Sequence, residues 1–320
     1  MTLPYFDAEA VLETLTFARA MDAVEEALRN DVDPELDGPR LFSPAPDGEF
    51  LLMPAQGARF SGLKALTVAP QNPARGLEKI QGLYILLDSD TLAPAAIMEG
   101  SSLTAIRTPA VAISAVRQLT ALAPAGAEVP TSPRILVFGA GTQGRGSVLA
   151  ARSVFPDATF GVVGRSVERV SQMQSDLASH GIDIVDRGND AEAAVRAADI
   201  IICATTASTP LFDGSLVSDT AIVVAIGTHG RDLRELDDAL ITRADLVVEG
   251  RASAERENGN LATAFGPADW ESNPPPNLRD LATGAVTRRP GHPAVYTGVG
   301  MSWEDLVCAT VVFTEGTPTR

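Results

Sequence analysis

A chain of 320 residues is long enough for two domains, each with its own buried core. Hydrophobic residues make up 45% and charged residues 21%, which excludes a disordered chain and suits a soluble globular one. The formal charge of −16 repels nucleic-acid phosphates and anionic lipid surfaces, and no Lys/Arg-rich run offsets it, so neither nucleic acid nor a membrane is expected as a partner.

Met1 to Ala10 carries Asp7 and Glu9 and lacks a basic flank followed by an apolar run, so no signal peptide is expected. No segment reaches the ~18 consecutive apolar residues needed to cross a bilayer. The expectation is a cytoplasmic protein whose two cysteines, Cys203 and Cys308, are buried reduced thiols. Asp7 is placed to cap a short helix, and Thr16 a second one with Phe17, Met21, Val24 and Leu28 at helical spacing. From Asp33 to Gly48 the Pro, Gly and Asp content predicts loop. Short apolar runs at Phe50–Pro54, Leu63–Val68, Leu83–Leu87 and Ala93–Met98, punctuated by turn residues, predict antiparallel strands. Leu103 to Leu122 then reads as a helix entered through Ser101 and Ser102.

Ala123 to Pro133 is rich in Ala and Pro and reads as a linker. Beyond it, apolar runs at Ile135–Phe138, Phe160–Val163, Ile200–Cys203, Ile222–Ile226 and Leu246–Val248 alternate with helix-length stretches, which predicts a parallel sheet covered by helices. Asn273 to Asn277 reads as loop and Trp303 to Phe313 as a final helix. The fold class is therefore α/β, a Rossmann-type doubly wound parallel sheet in the second part of the chain preceded by an α+β region.

Gly139, Gly141 and Gly144 complete a G-x-G-x-x-G pattern directly after the strand Ile135–Phe138, with Thr142 and Gln143 between them at the opening of a helix. Without side chains the backbone can turn tightly and approach a pyrophosphate, whose charge meets the N–H groups of the helix N-terminus. Taken alone the pattern also fits a glycine turn that holds no ligand. Its strand–turn–helix setting points to NAD(H) or NADP(H). A site that prefers NAD carries an acid at the end of the second strand. Here that strand runs into Gly164, Arg165 and Ser166, and a guanidinium beside a hydroxyl suits a 2′-phosphate, so NADP(H) is the expected cofactor. The alternative is that Arg165 is a solvated residue at a helix start.

Several blocks resemble the ornithine cyclodeaminase/μ-crystallin family along nearly the whole chain. They are Gly38-Pro39-Arg40, Leu52-Met53-Pro54, Gly62-Leu63-Lys64, Ile106 to Pro109, the glycine pattern, Glu235-Leu236-Asp237, and Gly298 to Asp305. The resemblance implies an α+β substrate and dimerisation domain at 1–122, completed by a C-terminal helix at 300–320, a Rossmann domain at 123–299, and a homodimer. It implies that Arg40 and Arg107 clamp the carboxylate of a small α-imino or α-amino acid, a task suited to planar guanidinium groups. It further implies that Met53 lines that pocket and that Lys64 exchanges a proton with the substrate nitrogen. Taken singly, each basic residue reads as a surface charge. Thr108 is assigned to the same pocket or to the cofactor phosphates, and Thr205 to the nicotinamide ribose.

One position departs from the family pattern. The cyclodeaminases carry a carboxylate a few residues before the Glu-Leu block, and His229 stands there. His229 reads either as a replacement acid/base or as polar lining. His180, His229 and His292 show no metal-ligand spacing, so no metal is expected. The reading adopted is an NAD(P)H-dependent imine reductase or amino-acid dehydrogenase with Lys64 as proton donor. The alternatives are an ornithine cyclodeaminase and a non-catalytic, crystallin-like binding protein that keeps the dinucleotide.

Overall fold

The computed structural model describes residues 3–319. The opening segment read for a leader includes Met1 and Thr2, which lie outside the described residues, as does Arg320. Two compact units emerge, Met1–Val111 with Met301–Arg320, and Ala112–Gly300.

In the first unit β1 (Tyr5–Phe6) leads into α1 (Ala8–Thr14) and α2 (Phe17–Asn30). Asp7 and Thr16 cap these helices by accepting from the amides of Ala10 and Arg19, as short oxygen-bearing side chains do where the first N–H groups lack partners. β2 (Leu41–Ala45), β3 (Gly48–Ala55), β4 (Phe60–Val68), β5 (Ile80–Asp88) and β6 (Pro94–Glu99) form an antiparallel run, and β1 pairs with β6 in parallel at the edge. β2 corrects the reading of Asp33 to Gly48 as loop, because that segment holds a 3-10 turn at Pro34–Leu36 and then an edge strand. An edge has one side without ladder partners, so Pro44 is tolerated there. Strand periodicity gives the sheet two faces. Phe60, Gly62, Lys64 and Leu66 of β4 point to the covered face and are buried, whereas Leu63 and Ala65 point to the other and are only half-buried.

α3 (Gly100–Ala121) follows directly, and the division between the units falls inside it at Val111. Its start differs from expectation. The Glu99 carboxylate, rather than the Ser101-Ser102 pair, takes up the free amides, accepting from Ser101 N at 3.0 Å and Ser102 N at 2.6 Å. The stretch from Ala123 to Pro133 follows the helix as loop.

The second unit contains β7 (Arg134–Phe138), α4 (Thr142–Val154), β8 (Thr159–Val163), α5 (Val167–Ala178), β9 (Ile184–Asp186), α6 (Ala191–Ala197), β10 (Ile200–Cys203) and β11 (Ile222–Ala225). It continues with α7 (Asp238–Arg243), β12 (Asp245–Val248), α8 (Arg251–Glu257), α9 (Pro267–Ser272), α10 (Leu278–Ala282) and β13 (Ala294–Thr297). All strand pairs are parallel, in the order β12-β13-β11-β10-β7-β8-β9. That is the doubly wound dinucleotide-binding order with β12 added at the far edge. β10 and β11 are buried at every position, as strands covered on both faces are. The chain ends in α11 (Ser302–Glu315), which belongs to the first unit and packs on α1, α2, β3, β4 and β5.

Candidate functional site

The first unit buries a cluster of charges on the covered face of its sheet. Lys64, at the middle of β4, is fully buried, and its register partners across the sheet are Met53 on β3 and Tyr84 on β5. Side chains opposite one another in an antiparallel pair share a face, so the ammonium stem lies in an apolar row. Burying a charge without partners is too costly to persist, and α11 supplies the partner. The Lys64 Nζ donates to Asp305 Oδ2 at 2.7 Å and to Thr104 Oγ1 at 3.2 Å. Thr104 passes its own proton to the Gly100 carbonyl at 2.8 Å, so its hydroxyl is oriented to accept from the lysine. Burial, opposed by the Asp305 carboxylate and aided by the Arg107 and Arg40 cations, brings the Lys64 pKa down from 10.5 to about 8.

Arg107, on α3, is buried beside it. Its Nη1 donates to Glu304 Oε2 at 2.5 Å, and its Nε lies 3.4 Å from Asp305 Oδ1. Adjacent acids at the start of α11 thus serve both cations, and neither acid is exposed to solvent. Arg40, half-buried just before β2, is near enough to act on Lys64 electrostatically. Sequence reasoning passed over Asp305, Glu304 and Thr104. The available signal was two neighbouring acids in an otherwise apolar helix, which need buried cations to face. It also passed over Tyr84, whose hydroxyl is buried without a hydrogen-bond partner among the described residues. Burial, with Asp305 and Asp37 nearby, holds the Tyr84 phenol well above its usual pKa. Gly62 has a physical reason here, since a Cβ would run into the Tyr84 hydroxyl. A separate cavity of about 370 Å³ in the same unit, lined by Phe60, Trp303 and Leu306, contains none of the three basic residues.

In the second unit the glycine loop follows β7. Gly139 has φ +109°, a left-handed region that strains other residues, and a Cβ there would strike the Ala204 carbonyl after β10. A Cβ on Gly144 would strike the carbonyl oxygen of Gly139, whereas one on Gly141 would meet only open space. Gly141 is the N-cap of α4 and offers no side chain to the first-turn amides, among them those of Thr142 and Gln143. The cradle therefore fits a dinucleotide pyrophosphate: tight backbone, open approach and a helix N-terminus aimed at it.

The end of β8 is more crowded than the sequence suggested. Arg165 is exposed, but the Ser166 hydroxyl is committed as the cap of α5, accepting from Arg169 N at 3.2 Å and donating to Glu168 Oε2 at 2.7 Å. A carboxylate thus does stand near this strand end. Thr205 is also engaged. Its amide and hydroxyl donate to Glu235 Oε1 at 2.6 and 2.8 Å, and the other oxygen of that carboxylate takes Gly227 N at 2.9 Å. The buried Glu235 thereby ties the loop after β10 to the loop after β11, and Asn260 Oδ1 fixes it in turn through Glu235 N at 2.7 Å. His229 sits exposed in the loop after β11. Thr108 is half-buried on α3 in the first unit, next to Arg107.

Comparison with known proteins gives these residues a context. A curated relative described as Δ1-pyrroline-2-carboxylate reductase 2, from Burkholderia ambifaria, is 29% identical over 97% of this chain and 92% of its own length. Two solved structures share the fold at 23% identity. One is Thermococcus litoralis Δ1-pyrroline-2-carboxylate reductase in complex with NADH and L-proline, with TM-score 0.81 over 99% of this chain and 100% of that one. The other is an archaeal alanine dehydrogenase dimer with bound NAD, with TM-score 0.83 over 100% and 99%. The model of the ornithine cyclodeaminase/mu-crystallin family matches residues 5–317, and this chain belongs to that family.

Proposed function

We propose that this protein reduces the C=N bond of a small α-imino acid with a reduced nicotinamide dinucleotide, as a cytoplasmic homodimer. The observation that carries the reading is the wholly buried Lys64 ammonium, held between a carboxylate and two guanidinium groups. Its pKa of about 8 lets it carry a proton at neutral pH and still give it up.

Arg107 and Arg40 attract the substrate carboxylate. Because Glu304 and Asp305 bind one side of Arg107, that guanidinium is held in place to meet a substrate carboxylate. Two of the three Lys64 N–H bonds are used by Asp305 and Thr104, and the third is available to the imine nitrogen. As the C–N bond becomes single, its electron pair takes the Lys64 proton. Met53 and Tyr84 exclude water from the lysine stem. A reduced nicotinamide, when held by the glycine loop of the second unit, would supply the hydride for the imine carbon. The free buried thiols Cys203 and Cys308 suit a reducing compartment.

Arg165 at the end of the second parallel strand supports NADPH. A second reading, NADH, is favoured by Glu168, whose carboxylate holds the Ser166 hydroxyl and repels a phosphate. The family's deaminating members require an acid where this chain has His229, so ring closure with loss of ammonia is not the proposed reaction. The test is purified protein with Δ1-pyrroline-2-carboxylate and NADPH or NADH in parallel, read by dinucleotide absorbance and proline formed. Ornithine with NAD⁺ is the contrasting arm. Imine reduction with little ammonia is expected, and stoichiometric ammonia and proline from ornithine at an enzymatic rate would overturn the reading.

A further inference from the structure

Nothing in the reaction chemistry requires that a proton-donating lysine be paired with an acid from the far end of the chain. Yet Asp305, 241 residues away, is wholly buried and both its oxygens face cations. A buried ion pair is weak ground for stability, since a hydrophobic pair of similar volume does as well or better. Its retention at this position needs another reason.

We propose that Asp305 is the positioning residue for Lys64: its carboxylate, carried in by α11, holds the ammonium on the covered face of the sheet and keeps it charged there. This rests on the reading of Lys64 as proton donor. The groups around the ammonium set the balance. From β3 comes Met53 and from β5 the neutral Tyr84, neither of which stabilises a cation. From α3 come Thr104, an acceptor, and Arg107, a like charge; Arg40 before β2 is a second like charge. From α11 come Glu304, which is spent on Arg107, the neutral thiol of Cys308, and Asp305. Burial and two guanidinium groups all drive the proton off Lys64. Asp305 is the anion in direct contact that opposes them. Without it Lys64 would give up its proton at lower pH and serve as an acid over a narrower range. The same carboxylate bridges to Arg107, so proton donor and carboxylate anchor share one rigid support.

Asp305→Asn removes the charge and keeps the shape. The readout is independent of turnover: the ¹³Cε resonance of Lys64 in lysine-labelled protein, identified by its loss in Lys64→Met and followed through a pH titration. The expected result is a midpoint at least one pH unit below that of the native protein, with the basic limb of the kcat–pH profile moving by the same amount. At pH 8 kcat would then fall at least about fivefold and recover toward pH 6. Asp305→Glu keeps the charge and moves it by a methylene, so the midpoint stays near native while kcat falls at unchanged dinucleotide affinity. Should Asp305→Asn not fold, Asp305→Glu carries the test, and native kcat in that variant would overturn the proposal. An unmoved Lys64 midpoint in folded Asp305→Asn would overturn it as well. A shifted midpoint in a protein that reduces no imine would sink the proposed reaction and leave the Asp305–Lys64 coupling in place.

Discussion

Lys64 makes the pH behaviour of this protein calculable in sign. As the proposed proton donor it can act only while charged, so kcat should be level below its pKa and fall as pH rises through about 8. The same shift acts on stability. An unfolded lysine keeps its proton to 10.5, so between about 8 and 10.5 the unfolded chain binds a proton that the folded one has released, and this residue's contribution to stability rises with pH across that window. Lys64→Met should leave dinucleotide binding intact, because Lys64 lies outside the dinucleotide-binding unit, and lower turnover by the ~10²–10⁴-fold typical of a lost general acid. Near-native imine reduction by the folded variant would exclude the role. Lys64, Arg40 and Arg107 were singled out only because they sit in family blocks, since local composition cannot tell a buried cation from a surface one. What stayed illegible was the compensation. Asp305 was visible in a block but had no role, because its partner on β4 is fixed by tertiary packing alone. The sequence also hid that Ser166 and Thr205 are occupied by carboxylates, as Glu235 stands 30 residues from Thr205 in the chain.

Elements were more legible than contacts wherever a local rule was strong. Asp7 and Thr16 cap their helices through their own side chains, and the four central antiparallel strands carry clear apolar runs. Strands with weak local signals escaped. β9 has three residues, two of them exposed, and β13 follows directly on the Pro290-to-Pro293 turn residues that mask it. β2 was hidden by its proline, which an edge strand tolerates. The element on which the proposed dinucleotide binding would depend most is the turn from β7 into α4, and it gives a sharp test. In Gly144→Ala the new methyl meets the Gly139 carbonyl, which is backbone and cannot swing away. The turn must open, and with it the amide cradle of α4. Dinucleotide affinity should drop at least about tenfold, roughly 1.4 kcal/mol, in titration calorimetry. An unchanged dissociation constant would show that the pyrophosphate is not held there.

At the scale of the whole molecule, the second face of the first unit's sheet bears on assembly. One face of β3, β4 and β5 is covered by α11 and carries Lys64. The register places Phe50, Leu63, Ala65, Leu83 and Ile85 on the opposite face, where Leu41 is 53%, Phe50 46% and Leu83 41% exposed. Exposed apolar side chains grouped on one face suit an interaction surface, and the proposed homodimer would cover them with a second copy. Each copy carries a formal charge of −16, so long-range electrostatics oppose the association and apolar burial must overcome them. This fixes the sign of the salt response. Screening weakens the repulsion and leaves the apolar contact unharmed, so the dimer should tighten as ionic strength rises, whereas an interface held by surface ion pairs would loosen. Light scattering on native protein should give twice the 33.5 kDa chain mass, with dissociation favoured by dilution at low salt. Phe50→Glu combined with Leu83→Glu should yield a monomer that keeps its far-UV circular dichroism, since both side chains already face outward. Because Leu63 and Ala65 flank Lys64 on the same strand, baring this face should also loosen β4, so imine reduction should fall with the monomer fraction. A double variant that remains dimeric at all salt concentrations would place the subunit contact elsewhere on the molecule.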